Sequence, residues 1–257
     1  MNLLGNFSPG VMKIGGTIDR RMLVNFRCDP KSISRMLPAP LRPKLVRGRA
    51  IAGLCLIRLR HIRPLWLPEW MGTGSENIAH RISVEWDEAG GQRHGVFILR
   101  RDTSSALNQA AGGRLFPGTH HRADFEVWES ALRYKIAMRS NFDGTFVRVV
   151  ARSEGGSMSG SLFASLEEAS DFFAGGSLGW SLGRNREFEG LELTTEGWSV
   201  SPLLVERVES TLFGNRETFP PGTIAFDCAL LMRNIRHQWR PRSWTADENE
   251  PRTLYES

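Results

Sequence analysis

The chain has 257 residues, 40% of them apolar and 24% charged, enough to bury a core in one large β-rich domain or two small ones. Its formal charge of +5 and pI near 9.5 raise the question of a nucleic-acid partner. The basic residues are spread along the chain, however. All but Lys13, Lys31, Lys44 and Lys135 are arginines, a skew that fits genome base composition better than phosphate binding. No helix-turn-helix, finger or aromatic ribonucleoprotein motif is present, so no nucleic-acid partner is expected.

No apolar run reaches the roughly 20 residues of a membrane helix, and the N-terminus lacks a basic start followed by an apolar stretch. The expectation is a soluble cytoplasmic protein with no membrane partner. Cys28, Cys55 and Cys228 are odd in number, widely spaced and set among apolar residues, which predicts free buried thiols. The sequence does not set the oligomeric state.

Taken in order, residues 1–21 read as an irregular arm and 22–240 as one domain, with a charged tail over 241–257. Met22–Cys28 is a first strand. Asp29-Pro30 is an N-cap and first-turn pair that opens a short helix ending before Pro38. A long β segment runs over 45–60, apolar on both faces between Ile51 and Ile57. The following stretch to Trp70 reads as a loop with aromatics.

Residues 76–86 alternate with period two, Gly90-Gly91 marks a hairpin, and the returning strand ends at Arg100-Arg101-Asp102. Thr103 or Ser104 caps a short helix that Gly112-Gly113 ends. Strands follow at 120–128, 132–139 and 145–152, then a Gly/Ser loop and a helix over 166–173. Further strands lie at 176–184, 191–193, 198–208 and 223–239. About ten strands with short turns and few helices predict a mainly β, α+β fold: a closed or nearly closed antiparallel barrel with room for a small ligand.

The alternating strand places Glu76 and His80 on the same face as Ile78, Ile82, Val84 and Trp86. Burying a carboxylate and an imidazole costs several kcal/mol unless both are partnered. Two readings stay open: a pair able to polarise a ligand or move a proton, or a polar pair satisfied by nearby arginines. Arg100 and Arg101 point to opposite faces, so one of them enters the interior, either to grip an anion or to close an internal salt bridge. Adjacent His120 and His121 point apart on a strand and do not both bind one ion, so no metal and no cofactor are expected. His121 is the histidine expected to line the cavity. Arg233 and His237 share a face near the end of the last strand as secondary candidates, with strand-end solvation as the alternative.

The motifs SENIAHRISVEW, GVFILRRDTSS, GGRLFPGTHH, EASDFFAGGSLGWS and CALLMRNIRHQW, in that order, resemble the domain of unknown function 2071 family, grouped with the acetoacetate-decarboxylase-like superfamily. The resemblance spans about Met22 to Trp239. It implies a large antiparallel double-cone β-barrel with a buried cavity. The superfamily's decarboxylases combine a Schiff-base lysine after a Gly-aromatic-Pro turn, a glutamate on an earlier strand and an arginine for the substrate carboxylate. The resemblance matches the glutamate to Glu76 and the turn to Arg114-Leu115-Phe116-Pro117. Where those enzymes carry lysine, this chain has Gly118, Thr119, His120 and His121. None of its four lysines reads as desolvated, as a Schiff-base amine must be.

The expectation is therefore a barrel that holds a small, partly apolar organic acid without amine catalysis. Glu76 and His80 are the expected catalytic handles, Arg101 and Arg100 the anion partners, and His121, Phe116 and Trp86 the walls. Any chemistry would be proton transfer next to a carbonyl. The alternative is a non-catalytic sensing or protein-interaction barrel whose interior polar groups are structural.

Overall fold

The computed structural model describes residues 13–88, 90–111, 117–183 and 185–244. The strands are β1 (Ile14–Cys28), β2 (Arg42–Pro43), β3 (Leu45–Val46), β4 (Arg49–Pro64), β5 (Thr73–Glu88), β6 (Gly91–Thr103), β7 (His120–Glu129), β8 (Arg133–Ser140), β9 (Phe146–Arg152), β10 (Leu178–Leu182), β11 (Phe188–Thr195), β12 (Ser201–Pro202), β13 (Leu204–Ser210) and β14 (Ile224–Ser243). The helices are α1 (Pro30–Ser34), α2 (Ala106–Ala111) and α3 (Leu166–Ala174).

Local chemistry sets the helix starts. Asp29 accepts from the Ser32 backbone N–H at 2.9 Å with Pro30 in the first turn, and Ser165 accepts from that of Glu168 at 3.1 Å. The α2 cap is Ser105, one or two residues beyond the expected Thr103 or Ser104; its hydroxyl accepts from the Asn108 N–H at 3.2 Å.

Three segments exceed their expected bounds. β1 starts at Ile14, so residues 14–21 of the expected arm are strand paired with both β4 and β14. β4 continues to Pro64 through half of the expected aromatic loop, and Trp66 and Trp70 beyond it stand exposed at 76% and 80%. β14 runs to Ser243 because β11 pairs with its last turn of chain.

Fourteen strands form one sheet: twelve follow the order β13-β9-β8-β7-β6-β10-β11-β14-β1-β4-β5-β2, with β12 beside β14 and β3 beside β4. β6 also pairs with β5, so the hydrogen-bonded path returns on itself through seven strands. The expectation of an all-antiparallel sheet is corrected at β6, which runs parallel to β10 on one stretch (Val96, Phe97) and to β7 on the next (Arg101 to Thr103). Parallel neighbours need crossover connections, and those from β6 to β7 and from β9 to β10 carry α2 and α3. β13 ends the path; it pairs with β9, and its register shifts between Val205 and Arg207, leaving Glu206 as the extra residue.

Cross-strand register stacks side chains in layers on one face. Arg233, Arg20, Arg58 and Glu76 form one row across β14, β1, β4 and β5; Leu231, Met22, Leu56 and Ile78 form the next; Ala229, Val24, Leu54 and His80 the third. This face packs into the main core with Tyr134, Ile136 and Met138 of β8 and Val147 and Val149 of β9. The opposite face packs Leu23, Cys55, Cys228 and Leu230 against Ala169 and Phe173 of α3. The three cysteines are free and buried, as expected, and burial pushes the Cys28 and Cys228 thiols up to about 12. Among the described residues no helix is long and apolar enough to cross a membrane.

Candidate functional site

Which way each arginine of the Arg100-Arg101 pair faces is decided by a bulge. His80 pairs with Arg100 while Arg81 pairs with Ile98, so Leu99 is an extra residue in β6. Cross-strand partners share a face. Arg100 therefore lies on the His80 face, and Arg101, opposite Ala79, lies on the face of Asn77. The parallel pairing with β7 then sets His120 beside Arg101 and His121 beside Asp102.

Arg101 lines a small, partly open cavity of about 110 Å³. Its apolar lining includes Ile57, Leu59, Ile78, Leu191 and Trp239. Its polar residues are Asn77, Arg101, Asp102, Asn108 and His120, with the Asp102 carboxylate already paired to Arg100 at 2.7 Å. The Arg101 Nη1 donates to the Ser181 hydroxyl, and among the described residues no carboxylate comes within ion-pair distance of the guanidinium. Desolvation lowers its pKa to about 10, with Glu189 as the favourable charge. Glu189 itself accepts from the Gly118 N–H at 2.6 Å.

Gly118 is required here. It has φ +72°, and a Cβ would lie 2.8 Å from the Ser181 Cβ and 2.9 Å from the Arg101 Nη1. Burial, with Arg101 next, depresses His120 to about 3, so its imidazole is neutral, 3.3 Å from the Gly118 carbonyl through Nδ1.

Glu76 and His80 are not among the residues that line this cavity. Glu76 accepts from Arg20 at 2.6 Å and from Arg58 Nε. Glu129 accepts from Arg20 at 2.8 Å and forms ion pairs with Arg58 at 3.0 Å and Arg233 at 2.9 Å. Arg20 is fully buried, and this network ties β1, β4, β5 and β14 to β7.

His80 is buried beside Phe213, ring centroids 5.6 Å apart. Neither ring nitrogen has a hydrogen-bond partner among the described residues. Burial first and Arg100 second push it down to about 3. The structure thus separates the expected Glu76–His80 handles from Arg101 by the thickness of β5 and β6. The alternation was legible, but both faces of β5 are buried, and the cavity lies behind the more polar one.

The remaining expected residues fall as follows. Arg100 is the arginine of the pair that closes internal salt bridges, with Asp102 at 2.7 Å and Asp143 at 2.5 Å. His121 stacks on Phe142, centroids 4.7 Å apart, and lines a neighbouring cleft instead of the cavity. Trp86 packs in the core against Trp180 and Trp244, its indole N–H donating to Glu88 at 2.8 Å. Phe116 lies outside the described residues, as do Arg114 and Leu115; Pro117 lines the cavity. Arg233 belongs to the Glu129 network, and His237 is buried against Trp239.

None of the four lysines lines the cavity. Among the described residues no group of three or more His, Cys, Asp or Glu is arranged to hold a metal ion. Asn77, Asn108 and Ser181 carried no signal in the sequence. His120 carried one: it follows the Pro117 turn where the resemblance places the decarboxylase lysines.

The profile of the DUF2071 family, described as an uncharacterized conserved protein, matches residues 17–188. The chain belongs to the DUF2071 family. A search of curated proteins found no match. Among solved structures, the DUF2071 chain is similar to acetoacetate decarboxylase from Legionella pneumophila, with TM-score 0.59, 9% identity, and 89% of this chain and 84% of that one covered. It is similar to an acetoacetate decarboxylase-like enzyme from Sphingomonas wittichii RW1, with TM-score 0.54, 13% identity, and 90% and 91% covered. It is also similar to the enduracididine biosynthesis enzyme MppR complexed with pyruvate, with TM-score 0.55, 12% identity, and 91% and 89% covered. At such identities the likeness establishes an acetoacetate decarboxylase-like fold.

Proposed function

We propose that this chain holds a small carboxylic or keto acid in the Arg101 cavity without forming a Schiff base. The seven-strand circuit supports reading the fold as the closed double-cone barrel of the superfamily. The observation that carries the function is a desolvated guanidinium lining a small pocket, with no carboxylate at ion-pair distance among the described residues. A buried cation without a counter-ion is costly, and a ligand carboxylate supplies one through two parallel hydrogen bonds. The cavity volume, about 110 Å³, is several times a water's share of about 30 Å³ and suits an acid of three or four carbons. The apolar walls take its carbon chain, and Asn108, which gives one amide hydrogen to Ser75 at 3.2 Å, offers the other to a keto oxygen. The absence of lysine from the lining supports chemistry, where there is any, without an amine nucleophile.

His120 is the group placed to move a proton at the carbon next to the carbonyl. In the empty cavity its basicity is too low for that task, because burial and Arg101 both oppose its protonation. A bound carboxylate cancels the Arg101 charge and raises the imidazole toward its usual range. That low basicity is also what favours the second reading, a binding or sensing protein with no turnover.

Thermal shift with pyruvate, acetoacetate and butyrate tests the binding. At a hundredfold excess over Kd the protein should gain about 2.7 kcal/mol, or roughly 5–10 °C in Tm. Arg101→Gln should abolish the gain. A flat response to every acid refutes the proposal. Solvent deuterium entering the α-carbon of bound acetoacetate, lost in His120→Gln, separates catalysis from sensing.

A further inference from the structure

Between the stretch of β6 that pairs with β10 and the stretch that pairs with β7, residues 98–100 have no strand on that side. The sheet forks there, and the fork is a cleft of about 540 Å³ that shares Arg101 with the inner cavity. Five cationic or imidazole side chains line it, Arg35, Arg100, Arg101, His121 and Arg186, and no carboxylate does. Arg100 is neutralised by Asp102 and Asp143. Among the described residues Arg35 and Arg186 have no carboxylate at ion-pair distance, which leaves three uncompensated positive charges facing one space.

Arg186 is held at φ +62°, a conformation that non-glycine residues adopt at a cost and that occurs preferentially at ligand sites. Met36, Leu37, Leu99 and Leu182 supply apolar surface between the cations.

We infer that the natural ligand is a dianion. One acid group sits on Arg101, a short apolar segment runs through the fork, and a second carboxylate or phosphate lies between Arg35 and Arg186. This rests on the reading of Arg101 as an acid receptor and extends it to substrate class. Three like charges around one cleft raise the local anion concentration and repel one another until an anion enters. A monoanion leaves two of them unanswered, whereas a dianion of the right length answers them together, as two linked sites do.

Calorimetric titration of the full chain at low salt tests this with a ladder of probes: butyrate, succinate, glutarate, adipate and 4-phosphonobutyrate. At least one dianion should bind ten times more tightly than butyrate or better, and its length measures the span between the sites. Whether the carboxylate or the phosphonate of matched length wins decides which second group the fork takes. Arg35→Gln and Arg186→Gln, both at exposed positions, should each cut the dianion advantage at least threefold and leave butyrate affinity and Tm unchanged. Arg101→Gln should remove binding of every probe. Dianions that bind no better than butyrate, or whose advantage survives both outer substitutions, overturn the inference and leave the Arg101 reading standing. Silence with every probe, butyrate included, overturns both.

Discussion

Glu76→Gln separates the two faces of β5. The substitution keeps the size of the side chain and removes its charge from a network in which Arg20, fully buried, donates to it at 2.6 Å and Arg58 also donates. Breaking a buried ion pair by removing one partner costs about 3–5 kcal/mol. Two features reduce that figure here. Glu129 still accepts from Arg20 and pairs with Arg58 at 3.0 Å, and Glu76 keeps 15% side-chain exposure, so water screens part of the loss. A destabilisation of about 2–3 kcal/mol follows, which for a chain of this size lowers Tm by about 5–10 °C. Because Glu76 faces away from the Arg101 cavity, acid affinity should stay within twofold of the parent. Thermal and urea unfolding measure the first quantity, and titration with butyrate below the new Tm measures the second. An unchanged Tm together with lost acid binding would refute this reasoning and return Glu76 to the binding machinery.

Gly118→Ala should weaken acid binding at least tenfold with a smaller effect on Tm, because the new methyl displaces Ser181 and the Arg101 guanidinium from their contact; titration measures it. Stability should be flat above pH 6.5 and fall below it. His80 and His120 are depressed to about 3 and His237 to about 4, so between about pH 6.5 and 4 the unfolded chain takes up protons that the fold refuses. Urea unfolding at a series of pH values should show proton uptake in that window, chiefly by these three histidines. His94 and His121, which burial also lowers, make smaller contributions. His80→Leu should remove up to one proton. Sodium borohydride with acetoacetate should leave the intact mass unchanged; an adduct on any lysine would contradict the cavity lining described above.

The fold was legible where a strand alternates without interruption. β5 does so from Glu76 to Trp86, and Ile78, Ile82, Val84 and Trp86 all enter the main core. The site was not legible for two physical reasons. Both faces of β5 are covered, so an apolar stripe marks one buried side without excluding the other. Leu99 also breaks the period of β6 just before the arginines, and a bulge leaves no mark in a run of apolar residues. His120 and His121 were seen as a pair facing opposite ways, but which of them meets Arg101 depends on parallel pairing across a crossover of sixteen residues, beyond the reach of local pattern. The elements whose cues are local, the Asp29 cap, the helix over 166–173 and the Gly91 hairpin, lie where the sequence puts them.

β13 closes the account of the sheet on its free side. Its outer rim would offer unmet amides and carbonyls to any passing chain. Glu206 interrupts that rim, Arg152 and Arg148 reach across to Glu206 and Glu209, and Arg207 holds Glu209 beside it. A neighbour laid along this margin would meet a kinked backbone and a palisade of fixed charges. Copies of the molecule are thereby discouraged from knitting into fibrils at high concentration, and straightening the kink by deleting Glu206 would remove that guard.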